Sequence, residues 1–578
     1  MLPQPSAAQR DRMHKKISLW LVRRGRPLYL PEKDEEFRDI FREIFKGGYV
    51  PPSYQIVIDQ VLALSADGRA KVKAALAELK AEGILPSIGG DIWSQGGIAI
   101  FGILVYWIDN DFKLRERLVA AIPFSSVRHT GPALEAATKL ACASMGIGEY
   151  KQLKDADGDW LAEMEDTVCD SVHCTVSDNA SNIVNGWLCF DGHECVAHTL
   201  ALIVKAFLEQ PRVKKVFAKL RGMTGHFNHS VIGVKLLYEI LKRNGLAESK
   251  PPQDNDTRSG WGGAFKQAKW YHQNKVAVKM YDIEHPTKTA NAVPNLDGSV
   301  YKDHQLTNDE WEILRESLYI LNHPTILVDL LQGTHYPTAS LVLPLIGKLA
   351  HIADEATSLK YEGKPVTVVL PDVVDARKKL LKGVTDRYFT DLMDCKVEDF
   401  SVATILDPRY KSFKFKCANK WMRGKLTREK AVAWTRKAYD SDWKPKPKPV
   451  ESTDSNPAQK KVKHNVVTVA SYLADSDDEE FDTVASEGEV EKDELSIYLS
   501  LPDVPLDTYL LKWWKSQEVE LPSLSRMARQ FLGVPATTAG VERAFSKVTF
   551  MHSDLRKRLS EGSIEHSIMA SMNTAEFD

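Results

Sequence analysis

Three acids in this chain have the residue type and local setting for metal-assisted chemistry. They are Asp91 in Gly89-Gly90-Asp91-Ile92-Trp93, Asp178 in Thr175-Val176-Ser177-Asp178-Asn179-Ala180-Ser181-Asn182, and Glu542 in Val541-Glu542-Arg543-Ala544-Phe545-Ser546. Carboxylates gathered from separate elements bind hard divalent cations, which take oxygen ligands. These three are hundreds of residues apart in places, so only tertiary structure can gather them. Taken singly, each has an ordinary reading as well: Asp91 as a strand-end residue, Asp178 as an Asx-turn, Glu542 as a solvated helix face. Cys195 and His198, in Cys195-Val196-Ala197-His198, have the spacing of half a zinc site, but no second ligand pair follows. A core cysteine beside a satisfied histidine accounts for them equally.

The elements that must position these residues follow from periodicity. The run Gly97–Ile108 is continuously apolar and aromatic, which predicts a strand covered on both faces. With the stretch ending in Asp91-Ile92-Trp93 before it and Leu114–Pro123 after it, three consecutive strands are expected. A helix over Pro132–Ala143, a fourth strand over Val172–Ser177 and a helix over Ala197–Leu208 come next. Several short helices precede residue 83. From about 209 to 440 helical spacing dominates, including a Thr307-x-x-Glu310 capping box. Near the C-terminus Leu524, Met527, Ala528, Phe531 and Leu532 form an apolar stripe, and a further helix after Thr538 carries Val541, Ala544, Phe545 and Val548 on one side, with Glu542 beside them.

Charge and composition bound the remaining possibilities. The 578 residues exceed what one core usually holds, and 43% hydrophobic with 27% charged residues excludes a wholly disordered chain. A net charge of −2 means that a nucleic-acid partner must be met by local basic patches. One such patch spans residues 9–27, where Arg10, Arg12, Lys15, Lys16, Arg23, Arg24 and Arg26 face a single acid, Asp11, among Leu19, Trp20, Leu21 and Val22. It suits a phosphate backbone or a solvated helix face. The stretch from about 441 to 490 is low-complexity and charge-segregated, which predicts a disordered loop whose basic half is either a nuclear-localisation patch or a solvated linker. Seven scattered cysteines, no signal-like N-terminus and no apolar run of membrane-spanning length are expected of a soluble protein in a reducing, intracellular compartment.

Taken in order, these stretches resemble the hAT superfamily of DNA transposases and the host proteins derived from them. Asp91-x-Trp93 and Thr175–Asn182 are similar to the family's two catalytic aspartate motifs, Cys195-Val-Ala-His198 to its Cys-x-x-His motif, and Leu406-Asp407-Pro408-Arg409-Tyr410-Lys411 to a further signature. Trp513-Trp514-Lys515, Leu521-Pro-x-Leu524, Glu542-Arg543-Ala544-Phe545-Ser546 and Arg556-x-Arg558-Leu559 resemble the family's C-terminal dimerisation region. The resemblance implies an α/β fold: a ribonuclease-H-like catalytic core interrupted by a large all-helical insertion domain, with an N-terminal helical region. The corresponding segments are 1–83 (basic, helical), 84–208 (first part of the core), 209–494 (helical insertion containing the charged loop) and 495–578 (last part of the core and dimerisation region).

For function it implies Asp91, Asp178 and Glu542 as the catalytic metal-binding triad, with Mg²⁺ or Mn²⁺ assisting DNA cleavage and strand transfer at transposon ends. It implies Cys195, His198, Arg258 and Trp261 as residues supporting the bound DNA, the tryptophan by stacking on an unpaired base. Here Ser259 and Gly260 separate Arg258 from Trp261, where the family usually has an adjacent pair. DNA, a homodimer or higher homo-oligomer, and the nucleus are the implied partners and location. No Cys-x-x-Cys…His pattern of a BED-type zinc finger occurs in the first 80 residues. A catalytically inactive, domesticated DNA-binding or dimerising regulator is the alternative.

Overall fold

A computed structural model describes residues 5–46, 48–95, 97–125, 128–154, 160–178, 180–253, 261–285, 301–389, 394–415, 426–445, 493–551 and 561–574. Arg258, most of the charged loop at 441–490, and Arg556-x-Arg558-Leu559 lie outside these residues. The chain is a mixed α/β protein, mostly helical, built on one central mixed sheet. No helix among the described residues is long and apolar enough to cross a membrane.

The sheet begins with the three consecutive strands that the apolar runs predict: β1 (Ser87–Gln95), β2 (Ile98–Ile108) and β3 (Leu114–Pro123), joined antiparallel. A hairpin, β4 (Tyr150–Lys154) with β5 (Trp160–Asp166), stands apart from the sheet and is not anticipated by the sequence pattern. The expected fourth strand is shorter than its apolar run. Only Thr175–Ser177 forms β6, which pairs parallel with β1, and β7 (Gly192–Glu194) pairs parallel with β6. The spatial order is therefore β3-β2-β1-β6-β7.

β2 is buried on both faces, as its composition requires. Phe101, Ile103, Val105 and Trp107 point into the larger core, which extends through the helical region. Ile100, Leu104 and Tyr106 point into a second core. There they meet Leu21 and Val22 of the first helix (Ala7–Arg23), Val57, Val61 and Leu64 of the helix Tyr54–Ala81, and Val541, Ala544 and Phe545 of the helix Ala539–Met551. The N-terminus and C-terminus of the chain thus share one core over one face of the sheet.

Where several short helices were expected before residue 83, the last 28 residues form one helix, Tyr54–Ala81, started by the Ser53 cap. Gly68 does not break it. A Cβ there would approach Asn573 Cβ to 2.9 Å, so glycine lets the last helix, Glu561–Asn573, pack closely. Asn573 in turn mends a register shift in the sheet. Val119 is the extra residue opposite Ile103 and Leu104, and the Asn573 carboxamide accepts from Leu118 N–H (2.9 Å) and donates to Leu118 C=O (2.8 Å). Between 209 and 440 the described residues are helical, as expected, apart from one small hairpin, β8 (Leu359–Tyr361) with β9 (Lys364–Val366).

Candidate active site

Strand register brings Asp91 and Asp178 together. β1 and β6 run parallel with Gly90 opposite Ser177, so Asp178, the first residue past β6, stands one step along beside Asp91. Across the other edge of β1, Asp91 pairs with Gly102 of β2. Cross-strand partners share a face, and the face at Gly102 is the one covered by the helix Ala539–Met551: a Cβ on Gly102 would come within 2.8 Å of the Phe545 ring. The missing side chain at Gly102 admits that helix, and Asp91 points toward it.

Glu542 is in the first turn of the same helix. Its neighbours fix the helix from both sides. Val541, Ala544 and Phe545 are buried in the second core, while the Arg543 guanidinium donates to Glu116 Oε2 of β3 (2.8 Å) and to the Gln332 carbonyl (3.2 Å) at the end of the helix Asn308–Leu331. Glu542 is left half-buried at the mouth of the site.

The Cys-x-x-His segment joins these parts. Cys195 directly follows β7 and its N–H bonds to the Ser177 carbonyl (2.7 Å), beside Asp178. Its sulfur accepts the Thr538 N–H at 3.3 Å, tying down the entry to the Glu542 helix. Cys195 is fully buried. It therefore has no surface to offer DNA directly; its burial fits the core-cysteine reading, and any support it gives to bound DNA is as an internal anchor. His198, one turn along the helix Val196–Leu208, places Nε2 4.0 Å from Glu542 Oε1.

Electrostatics shows the three acids to be neighbours. Burial pushes the Asp91 carboxyl up to about 7, and the negative charges of Asp178 and then Glu542 push the same way against a hydrogen bond from Ile92 N–H. Burial also raises Asp178, opposed by the Ala180 N–H and by His198. The His198 imidazole is pushed up to about 9, first by the Cys195 sulfur beside it and further by Glu542 and Asp178. The site is thus an anionic cluster with one cationic imidazole. Its donors are the hard oxygens that Mg²⁺ and Mn²⁺ prefer, so the donor set fits such an ion. As the side chains stand, no three acid, histidine or cysteine groups among the described residues are gathered closely enough to hold one.

Beside His198 and Glu542 opens a cleft of ≈260 Å³, and Trp261 lines it. Trp261 is 2% exposed and its indole N–H has no partner among the described residues. Asp329, Gln332 and Lys266 also line this cleft and are absent from the sequence reading. Asp329 had a signal: it is an acid within Ile326-Leu327-Val328-Asp329-Leu330-Leu331, and burial raises its carboxyl.

Two further motifs resolve as internal structure. In Leu406–Lys411, Asp407 is fully buried, receives two guanidinium hydrogen bonds from Arg409 (2.8 and 2.6 Å) and one from Ser340 Oγ (2.8 Å). Lys411 Nζ donates to the Tyr498 and Leu501 carbonyls, both at 2.6 Å, and Trp514 Nε1 donates to the Leu406 carbonyl at 2.9 Å. This signature fastens the C-terminal segment to the helical region. The apolar stripe of Leu524, Met527, Ala528, Phe531 and Leu532 is buried in the chain's own core, so it is not a free surface.

Comparison with known proteins places similarity at the C-terminus and along most of the chain. Residues 494–573 match the family model described as the hAT family C-terminal dimerisation region. The chain is 23% identical over 480 residues to a Zea mays protein named as an AC transposase, covering 80% of this chain and 53% of the relative. A Zea mays protein named as an AC9 transposase is 23% identical over 492 residues, covering 80% and 54%. The human zinc finger BED domain-containing protein 4 is 23% identical over 466 residues, covering 77% and 34%. The chain thus spans about half the length of the two maize relatives.

Proposed function

We propose that this chain, an hAT-superfamily transposase or a protein derived from one, cuts DNA and transfers strands at transposon ends using Asp91, Asp178 and Glu542. The observation that carries the reading is the convergence of the three acids from β1, the end of β6 and the C-terminal helix on one site beside His198. The sheet order, with a helical region entering before the Glu542 helix, supports a ribonuclease-H-like core. Asp91, Asp178 and Glu542 would hold Mg²⁺ or Mn²⁺, which when bound supplies charge neutralisation at the phosphodiester and a more acidic attacking hydroxyl.

The chain's own residues prepare that chemistry. Asp91 and Asp178 are kept side by side by strand register, and their mutual repulsion favours any cation that joins them. His198 turns Nε2 to within 4.0 Å of Glu542 Oε1, where a protonated imidazole would balance the cluster. Trp261 lines the adjoining cleft but its ring is packed in the core, so stacking on an unpaired base would require the ring to be uncovered first. Self-association through residues 494–573 has to use surfaces other than the buried 524–532 stripe. On this reading the protein works on chromosomal DNA, and the nucleus is its proposed location.

A non-cutting DNA-binding regulator is the second reading, favoured by the three acids being short of ligating distance among the described residues. A nicking assay on a terminal-inverted-repeat duplex separates the two. The first reading expects Mg²⁺- or Mn²⁺-dependent nicks that chelation abolishes. DNA binding without nicks under any divalent ion selects the second.

The Arg543–Glu116 pair makes a narrower expectation. Both side chains are partly exposed, so Glu116→Gln changes stability by less than about 1 kcal/mol. Yet it weakens one of the two ties of Arg543 beside Glu542, and misplacement of a reacting group by about 1 Å costs on the order of a hundredfold. Cleavage should fall at least tenfold with the unfolding midpoint unchanged; equal small losses in both would show that the pair only packs.

A further inference from the structure

The helix Ala7–Arg23 is packed into the core along one face and touches the 37–50 segment through Trp20 and His14. Ser18, Leu21 and Val22 are fully buried beneath it, against the helices Tyr54–Ala81 and Glu561–Asn573, and the Arg23 guanidinium donates to the Thr574 carbonyl at 3.2 Å. On the outer side Arg10, Arg12, Lys15, Lys16, Arg24 and Arg26 are all exposed. Among the described residues none of these six makes a side-chain hydrogen bond, ion pair or ring contact. The one acid of the segment, Asp11, is engaged by Gln60 Nε2 at 3.1 Å. In the nearby helix Glu35–Ile44, by contrast, Arg42 pairs with both Glu35 and Asp39.

This arrangement works against the helix itself. No acid occupies its first turn, so Arg10, at the end of that turn, opposes the positive end of the helix dipole. Arg12 and Lys16, one turn apart, repel each other without a compensating partner. A chain with net charge −2 has carboxylates to spare, and only Asp11 is placed here. The geometry fits an extended anion. From Arg12 to Arg23 the helix rises about 16 Å, a length over which one strand of duplex DNA presents a phosphate roughly every 3.4 Å. Trp20, 40% exposed, closes the edge of the face by stacking on Phe37 with ring centroids 6.1 Å apart.

We infer that this outer face binds the phosphate backbone of duplex DNA without reading its sequence. It is an attachment separate from the carboxylate site and does not rest on that site being active: a cutting and a non-cutting protein would use it alike. Its partner is a polyanion of regular charge spacing, and electrostatic contacts of this kind release counterions, which makes them salt-dependent.

The test uses the full chain and a labelled 30-base-pair duplex of arbitrary sequence, titrated by fluorescence anisotropy between 50 and 200 mM KCl. In Arg12→Gln/Lys15→Gln/Lys16→Gln the slope of log affinity against log salt should fall by about 2.7, and the affinity ratio between those two salt concentrations by ~40-fold, for three lost phosphate contacts. All three residues are exposed, so unchanged circular dichroism and melting serve as the folding control. A second variant removing three exposed cations elsewhere, Lys33→Gln/Lys378→Gln/Lys382→Gln, should leave the slope as in the wild type, and so should Asp178→Ala. The inference is overturned by an unchanged slope in the first variant, or by an equal loss in the second. It is also overturned if the first variant loses binding to polyglutamate or to phosphatidylserine vesicles while keeping its affinity for DNA. Loss of nicking in Asp178→Ala with the slope intact separates failure at the catalytic site from failure here.

Discussion

Asp178→Ala lowers metal-dependent strand cleavage by at least about a thousandfold while leaving the protein folded. A metal held against the reacting phosphate supplies several kcal/mol of transition-state stabilisation, and each ~1.4 kcal/mol is a factor of ten. The fold loses little, because Asp178 is past the end of β6 and among the described residues its side chain makes one hydrogen bond, accepting from the Ala180 N–H at 3.2 Å. The rate should also depend on pH through Asp91. With its carboxyl at about 7, Asp91 is mostly protonated at pH 6 and ionised above pH 8, so cleavage at sub-saturating Mg²⁺ rises across that interval. The sign of the stability effect is opposite. The native state holds the Asp91 proton between the ordinary carboxylate value near 4 and about 7, so this group's contribution is full at lower pH and is lost as pH rises through about 7. Asp91→Asn should therefore melt higher than wild type at pH 8 while being inactive. Rates measured by single-turnover nicking and melting followed by circular dichroism check both halves.

Asp407→Ala has the largest effect expected on stability, about 3–5 kcal/mol. Asp407 is fully buried and Arg409 is 11% exposed, so removing the carboxylate strands a guanidinium and the Ser340 hydroxyl in a dry interior. The loss spreads, because the adjacent Leu406 and Lys411 hold Trp514 and the Tyr498–Leu501 turn. Urea unfolding should show the C-terminal segment detaching first, read as loss of Trp514 burial. Asp407→Asn keeps an acceptor for Ser340 and should lose less. Equal stability of Asp407→Ala and wild type would remove the fastening role given to this signature.

The strands that carry the site were legible because their physics is local. β2 reads as doubly buried from its unbroken apolar run, and it is; the turn residues from Asp178 onward end β6 as expected. The neighbourhood of Asp91 and Asp178 was not legible, since it depends on a parallel register between strands far apart in sequence. Nor was the approach of Glu542, which needs the absent side chain at Gly102 and the Arg543–Glu116 tie. Cys195 illustrates the same limit. Its spacing from His198 left half a zinc site and a core cysteine equally open, and only strand and helix geometry send the sulfur inward to Thr538 and the imidazole toward Glu542. The 524–532 stripe showed an apolar face clearly, but periodicity alone does not say whose core that face joins.

The central claim is that Asp91, Asp178 and Glu542 form one divalent-metal site, and calorimetric titration of the full chain with Mn²⁺ at pH 7 tests it without requiring DNA or turnover. The predicted result is saturable binding accompanied by proton release, seen as a dependence of the heat on buffer ionisation, because the ion displaces the proton that Asp91 partly holds at that pH. Binding and proton release should both vanish in Asp178→Ala and in Glu542→Gln. Mn²⁺ binding that persists unchanged in those variants, or no binding by the wild type at millimolar Mn²⁺, would contradict it.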